Sequence, residues 1–145
     1  MAEHNIRLTW SDGGKPFTYE SYPREHQIAF KDGQDVITPS ASPAYKGDGK
    51  HGDPEDMLVA ALSSCHMLSF LAICTKKKVT VQSYEDDATG FLENDGGKLW
   101  ITRVILRPKV VCSADAATLE QIHHLAHDAC FIANSVKTDI SVEPR

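Results

Sequence analysis

Four cysteines, at positions 65, 74, 112 and 130, are the residues of this sequence best suited to do chemistry. No C-x-x-C pair occurs, so neither a zinc ribbon nor a thioredoxin-type motif is supported. Isolated cysteines in a reducing compartment are either inert or used for reactions, because structural disulfide frameworks belong to oxidising ones. A cysteine on an apolar helix face is in the first place a small core residue. Cys65 and Cys130 ask for more than that, since each lies on the apolar stripe of its own helical segment and two such helices packed side by side bring them together. One thiol can then attack and the other resolve: a thiolate takes the outer oxygen of a peroxide, becomes sulfenic acid, and condenses with the second thiol to a disulfide. An external dithiol restores both. Cys74 and Cys112 read as structural.

The difficulty is the thiolate. An unperturbed cysteine has a pKa of about 8.5 and burial raises it. Cys65 lies some three turns into its helix, beyond the first turn over which the positive helix end acts. A cation must come from elsewhere, and the candidates are Arg24, Lys46 and His66. His66 points about 100° away on the helix. Arg24 is preferred, because a guanidinium stays charged in a semi-apolar pocket and holds a carboxylate in its fork; Glu55 is the carboxylate it would want. Glu55 precedes Cys65 by ten residues, about 15 Å along a helix axis. Either Arg24 bridges that gap or Glu55 comes from a second subunit, so the spacing points to a homodimer.

These residues need elements to hold them. Residues 53 to 75, DPEDMLVAALSSCHMLSFLAICT, form the one segment with the pattern of a buried helix. Asp53 can cap it, Pro54 suits its first position, and Glu55 and Asp56 sit where negative charge is favoured. Before it come strands over 5 to 10, 18 to 30 (with Arg24 on it) and 35 to 38, then a turn-rich loop over 39 to 52. After it come a strand over 79 to 92 with a bend near Asp86-Asp87, a hairpin turn at 94 to 97, and a long strand over 99 to 111. On that strand Trp100, Val104 and Leu106 share one face, and Ile101 shares the other with Arg103. Ser113 is read as the cap of a second helix over 114 to 130, and a closing strand covers 136 to 142. Trp10, Trp100, Phe70 and Phe131 are read as core. The order predicts one α+β domain over 1 to 145 with mainly antiparallel sheets.

A formal net charge of -5 argues against a nucleic-acid partner, which needs a basic face. The opening MAEHNIRLTW lacks the apolar run of a signal peptide, so a cytoplasmic protein is expected. The helix over 53 to 75 reads as too short and too polar at its edges to span a membrane, so no membrane partner is expected. No cofactor is called for. A metal site at His123, His127 and Cys130 is the alternative raised by their helical spacing, although no H-E-x-x-H sequence accompanies it.

Asp53-Pro54-Glu55-Asp56-Met57-Leu58, followed by Ala60-Ala61 and Ser64-Cys65, resembles the N-P-E-x-L … A-A … A-C stretch of the OsmC/Ohr family, the osmotically inducible and organic hydroperoxide resistance proteins. Ala126-His127-Asp128-Ala129-Cys130, with Asn134 after it, resembles that family's second cysteine motif. The resemblance implies an OsmC-like fold, with sheets wrapped around two central helices in an intertwined homodimer. It also implies a thiol peroxidase acting on organic hydroperoxides, with Cys65 reactive, Cys130 resolving, Glu55 the motif glutamate and the thiols at the subunit boundary. The OsmC branch carries its activating arginine just before the helix, where this sequence has Ala44-Tyr45-Lys46; Arg24 is therefore taken from the second strand. The alternative is a non-catalytic member that binds an apolar ligand at the dimer cleft.

Overall fold

The computed structural model describes residues 1 to 145. It divides into two compact units, Met1–Met57 and Leu58–Arg145. The first is built on an antiparallel meander of β1 (Ile6–Thr9), β2 (Gln27–Phe30) and β3 (Asp35–Ile37), with Leu8 opposite Ile28 and Ile28 opposite Ile37. The expected strand over 18 to 30 forms only at its far end. Pro16 and Pro23 flank a stretch that bonds to itself instead: Thr18 N–H donates to Pro16 O, Tyr22 N–H to Thr18 O, and the Ser21 hydroxyl to Pro16 O. A proline has no N–H to give a ladder. Arg24 accordingly lies in an irregular segment, not on a strand.

The loop over 39 to 52 is tightly wound. Ser40 N–H donates to Gly52 O, and a 3-10 turn, Pro43–Tyr45, brings Gly47 N–H back to Ser42 O. A Cβ on Gly47 would stand 1.5 Å from the Ala41 carbonyl oxygen. Backbone cannot give way cheaply, so Gly47→Ala is expected to cost about 2 kcal/mol or more of stability; unchanged thermal unfolding of that variant would contradict the close approach. At the end of this unit Asp53 and Asp56 cap reciprocally, each side-chain carboxylate accepting the other's backbone N–H at 2.9 and 3.2 Å. That arrangement satisfies donors a helix start leaves free.

Helix α1 (Pro54–Lys76) starts one residue after its cap, as its sequence predicts. In the second unit it is joined by β4 (Val81–Asp86), β5 (Thr89–Asp95), β6 (Lys98–Leu106), β7 (Pro108–Cys112), α2 (Ala116–Ala129) and β8 (Asp139–Val142). The strands expected over 79 to 92 and 99 to 111 each break in two, and their halves join different sheets, β4-β7 and β5-β6-β8. The corner has a physical cause. Asp86 accepts the Arg107 backbone N–H at 2.6 Å and the Ser63 hydroxyl from α1, so a carboxylate stands where a ladder partner would, and Pro108 has no N–H to continue. Pairing is antiparallel except between β6 and β8, which run parallel.

A register shift opposite Phe91 and Leu92 pairs them with Arg103 and Ile101 and skips Thr102. One extra residue turns the alternation over, so Ile101 is buried together with Val104 and Leu106 and not on the opposite face. The cap of α2 is Asp115, which accepts Thr118 N–H at 2.8 Å; Ser113 instead accepts Thr80 N–H at 3.0 Å.

The core of this unit has two parts. Leu62, Ile101, Val104 and Leu106 pack with Leu58, Val59, Ile132, Ile140 and Val142; Phe70, Cys74, Ile122 and Ala126 pack with Leu71, Val81, Val110 and Leu119. Each large side chain buried here contributes about 1.5 to 3 kcal/mol. By length and composition α1 is, contrary to expectation, long and apolar enough to cross a membrane, with a mean hydropathy of 2.0 over its most apolar window. Its stripe of Leu62, His66, Phe70 and Cys74 is buried within the chain. Only 22% of that window is buried within the chain, so much of the helix's apolar surface is left uncovered.

A candidate active site

Cys65 projects from the middle of α1 and is partly exposed, whereas Cys130 is 2% exposed. The two are free thiols within hydrogen-bonding reach of one another. Helix α2 ends at Ala129, one residue before the expected end, and Cys130 is its C-cap with an extended backbone. The chain then turns at once into a 3-10 segment, Ala133–Ser135. Asn134 N–H donates to Cys130 O at 3.0 Å, its side-chain amide to Asp128 O at 3.1 Å, and the Ser135 hydroxyl to Phe131 O at 2.7 Å. This locked turn aims Ala133 N–H at the Cys130 sulfur, 3.4 Å away. Burial first, and the hydrogen bond to Cys65 second, push the Cys130 thiol up; the N–H groups of Ala133 and Ile132 pull the other way.

Arg24 and Glu55 belong to the Met1–Met57 unit, and Cys65 and Cys130 to the Leu58–Arg145 unit. Arg24 is only 9% exposed. Its guanidinium donates to Tyr22 O at 2.6 Å and Tyr19 O at 2.7 Å, and lies 3.5 Å over the Tyr22 ring and 4.9 Å from that of Tyr19. The expected Arg24–Glu55 ion pair is not made within the chain: carbonyls and aromatic faces hold the guanidinium, whose charge acts on Glu20 only at a distance. Lys46 is committed elsewhere, to Glu20 at 2.8 Å, a bond that raises the Lys46 pKa and lowers that of Glu20. Within the second unit Arg103, Arg107 and Arg145 pair with Glu93, Glu143 and Asp87, and none serves Cys65.

His66 is turned from the thiol, as its 100° offset predicts, and is buried against α2. It shares a hydrogen bond with His123, Nε2 to Nδ1 at 3.1 Å, with the rings nearly parallel at 7°. Phe70 also stacks on His123, 4.5 Å between centroids. Burial, then the neighbouring charges of His123 and His127, lower the His66 pKa to about 4, with Asp86 opposing. His66 is thus neutral and supplies no cation. The metal alternative is not assembled either: His123 faces His66, Cys130 faces Cys65 and Ala133, and no three His, Cys, Asp or Glu side chains are gathered as a ligand set.

Sequence reasoning missed the histidine pair and the tyrosine cage of Arg24. The spacing of His66 and Phe70 along α1 hints at the first; nothing local signals the second. Two expected core aromatics are not core: Phe131 is 80% exposed, and Trp10, also exposed, gives its indole N–H to Pro23 O at 2.8 Å beside Phe17 and Tyr22. Phe70 is fully buried as read.

A family model described as OsmC-like protein matches residues 47–145. The chain belongs to the OsmC-like family. An OsmC-like protein of unknown function from Vibrio cholerae O1 biovar eltor str. N16961 is 44% identical, with both chains covered in full and a TM-score of 0.92. The uncharacterized protein YmaD of Bacillus subtilis (strain 168) is 20% identical over 99% of this chain and 93% of its own. A structure from Legionella pneumophila, described as an organic hydroperoxide resistance protein OsmC, is 16% identical over 99% and 96% of the two chains, with a TM-score of 0.69. The OsmC-like fold, α+β with mainly antiparallel sheets, is thereby established for this member of the family.

Proposed function

We propose that this OsmC-like protein is a thiol peroxidase that reduces organic hydroperoxides, with Cys65 the reactive and Cys130 the resolving thiol. The observation that carries the reading is the meeting of these two free thiols, one partly exposed and one buried, at the end of α2. The Cys65 thiolate attacks the outer peroxide oxygen; the O–O bond breaks, the alkoxide takes a proton and leaves as alcohol, and Cys65 becomes sulfenic acid. Cys130 then attacks that sulfur, hydroxide leaves as water, and a disulfide remains for an external dithiol to reduce. The likeness in fold to a protein described as conferring organic hydroperoxide resistance is consistent with this. Four free cysteines suit a reducing compartment such as the cytoplasm.

Arg24 is the activating cation in this reading and Glu55 its carboxylate, with the functional unit a homodimer. A buried guanidinium with no carboxylate in direct contact is costly, so a second copy that brings Glu55 and a thiolate to it relieves that cost. Exposed Ile6, Leu8, Val36 and Leu68 offer apolar surface for the same association. The direct test is mass spectrometry after one equivalent of an alkyl hydroperoxide. A disulfide between 65 and 130 is expected, and unmodified thiols would overturn the reading.

A second reading, a non-catalytic member binding an apolar ligand, is favoured by one observation: the residue before the helix that could act as a cation, Lys46, is held by Glu20. Arg24→Met separates the two. Slower reaction of Cys65 with peroxide and a rise in the pH at which it is alkylated are expected; an unchanged profile would move the cation's role away from Arg24.

A further inference from the structure

The regeneration step has a direction built into the geometry. We propose that the dithiol that regenerates the protein attacks the Cys65 sulfur of the 65-to-130 disulfide and expels Cys130 as a thiolate received by the backbone N–H of Ala133. This rests on the two cysteines forming a disulfide, as in the peroxidase reading. Thiol exchange depends on which sulfur can be reached as well as on the leaving thiol, and here reach decides, since burial raises the Cys130 thiol. Cys65 is the partly exposed member, while Cys130 is closed off at 2% exposure beneath the end of α2. The departing charge at Cys130 is opposed by burial, and the N–H groups of Ala133, at 3.4 Å, and Ile132 offset part of that opposition. The turn is held open-handed by Asn134 and Ser135, whose bonds to Cys130 O, Asp128 O and Phe131 O leave Ala133 N–H free for the sulfur.

One thiolate of the dithiol bonds to Cys65 Sγ, the Cys65–Cys130 bond breaks, and its electron pair goes to Cys130. The second thiol of the reductant then displaces Cys65, closing the reductant's own disulfide. The two thiol protons of the reductant end on Cys65 and Cys130, and the protein gains two electrons.

The test makes the disulfide with diamide, so that it does not depend on peroxide turnover. The oxidised protein is treated with a monothiol, N-acetylcysteine, quenched in acid, alkylated with N-ethylmaleimide and mapped by peptide mass. The N-acetylcysteine adduct is expected on Cys65, with the maleimide on Cys130. An adduct on Cys130, an even split, or no 65-to-130 bond after diamide would overturn the proposal. Ala133→Pro removes the nearest N–H; slower opening by about an order of magnitude and alkylation of reduced Cys130 only at higher pH are expected, and an unchanged alkylation profile would remove the backbone from the argument. A protein that opens at Cys65 after diamide yet never turns over an alkyl hydroperoxide would refute the peroxidase reading while leaving this one standing.

Discussion

Cys65→Ser is expected to bring organic-hydroperoxide turnover down to the rate of the peroxide in buffer, whereas Cys130→Ser is expected to consume one equivalent and stop. The contrast follows from the positions of the two sulfurs. A serine hydroxyl at 65 has no accessible anion near neutral pH and cannot displace an alkoxide. At 130 the loss is of the partner that resolves, so Cys65 halts as sulfenic acid and is open to capture by dimedone. Serine at 130 keeps an acceptor for Ala133 N–H, so the turn after α2 retains its bond. Steady multiple turnover at equal rates in the wild type and both variants would eliminate a two-thiol cycle at this site.

The second large effect is loss of stability in mild acid. His66 is buried with a pKa lowered from its ordinary 6.5 to about 4, chiefly by desolvation and then by the charges of His123 and His127. The folded protein therefore refuses a proton that the unfolded chain accepts. Stability from this source is complete above about pH 6.5 and is lost as the pH falls toward 4. At about 1.4 kcal/mol per pH unit, the span amounts to about 3 kcal/mol. His123, whose pKa burial also lowers, acts in the same direction, and the Asp86 carboxylate acts against both. Urea unfolding at pH 7, 5.5 and 4.5 measures this. The midpoint is expected to fall through the series, and a constant midpoint would mean that the imidazole pair is not shut away from water.

Much of the scaffold around the thiols is legible in the sequence. The run Asp53-Pro54-Glu55-Asp56 announces a helix start by local chemistry alone, and the apolar stripes of the two helices are enough to bring Cys65 and Cys130 face to face. What could not be read depends on partners remote in the chain. Ser113 and Asp115 are both good caps; Ser113 loses because Thr80, thirty-three residues away, claims its hydroxyl. The break between β6 and β7 is made by Asp86 taking Arg107 N–H, a bond invisible to periodicity. Skipped Thr102 inverts the faces of β6 without a glycine or proline to announce it. Arg24, expected on a strand, sits instead just after Pro23 with its guanidinium turned back on the carbonyls of Tyr19 and Tyr22.

The parallel pairing of β8 with β6 carries a consequence for synthesis. Its partner residues are Arg103 and Asp139, Val104 and Ile140, Ile105 and Ser141, Leu106 and Val142. A hairpin can zip as it emerges from the ribosome, but this pair must wait until α2 and everything up to Val142 have followed. Until then one flank of β6 is a bare template for a neighbouring chain. Nascent protein is therefore exposed to aggregation in the interval between the synthesis of β6 and the arrival of the strand that seals it.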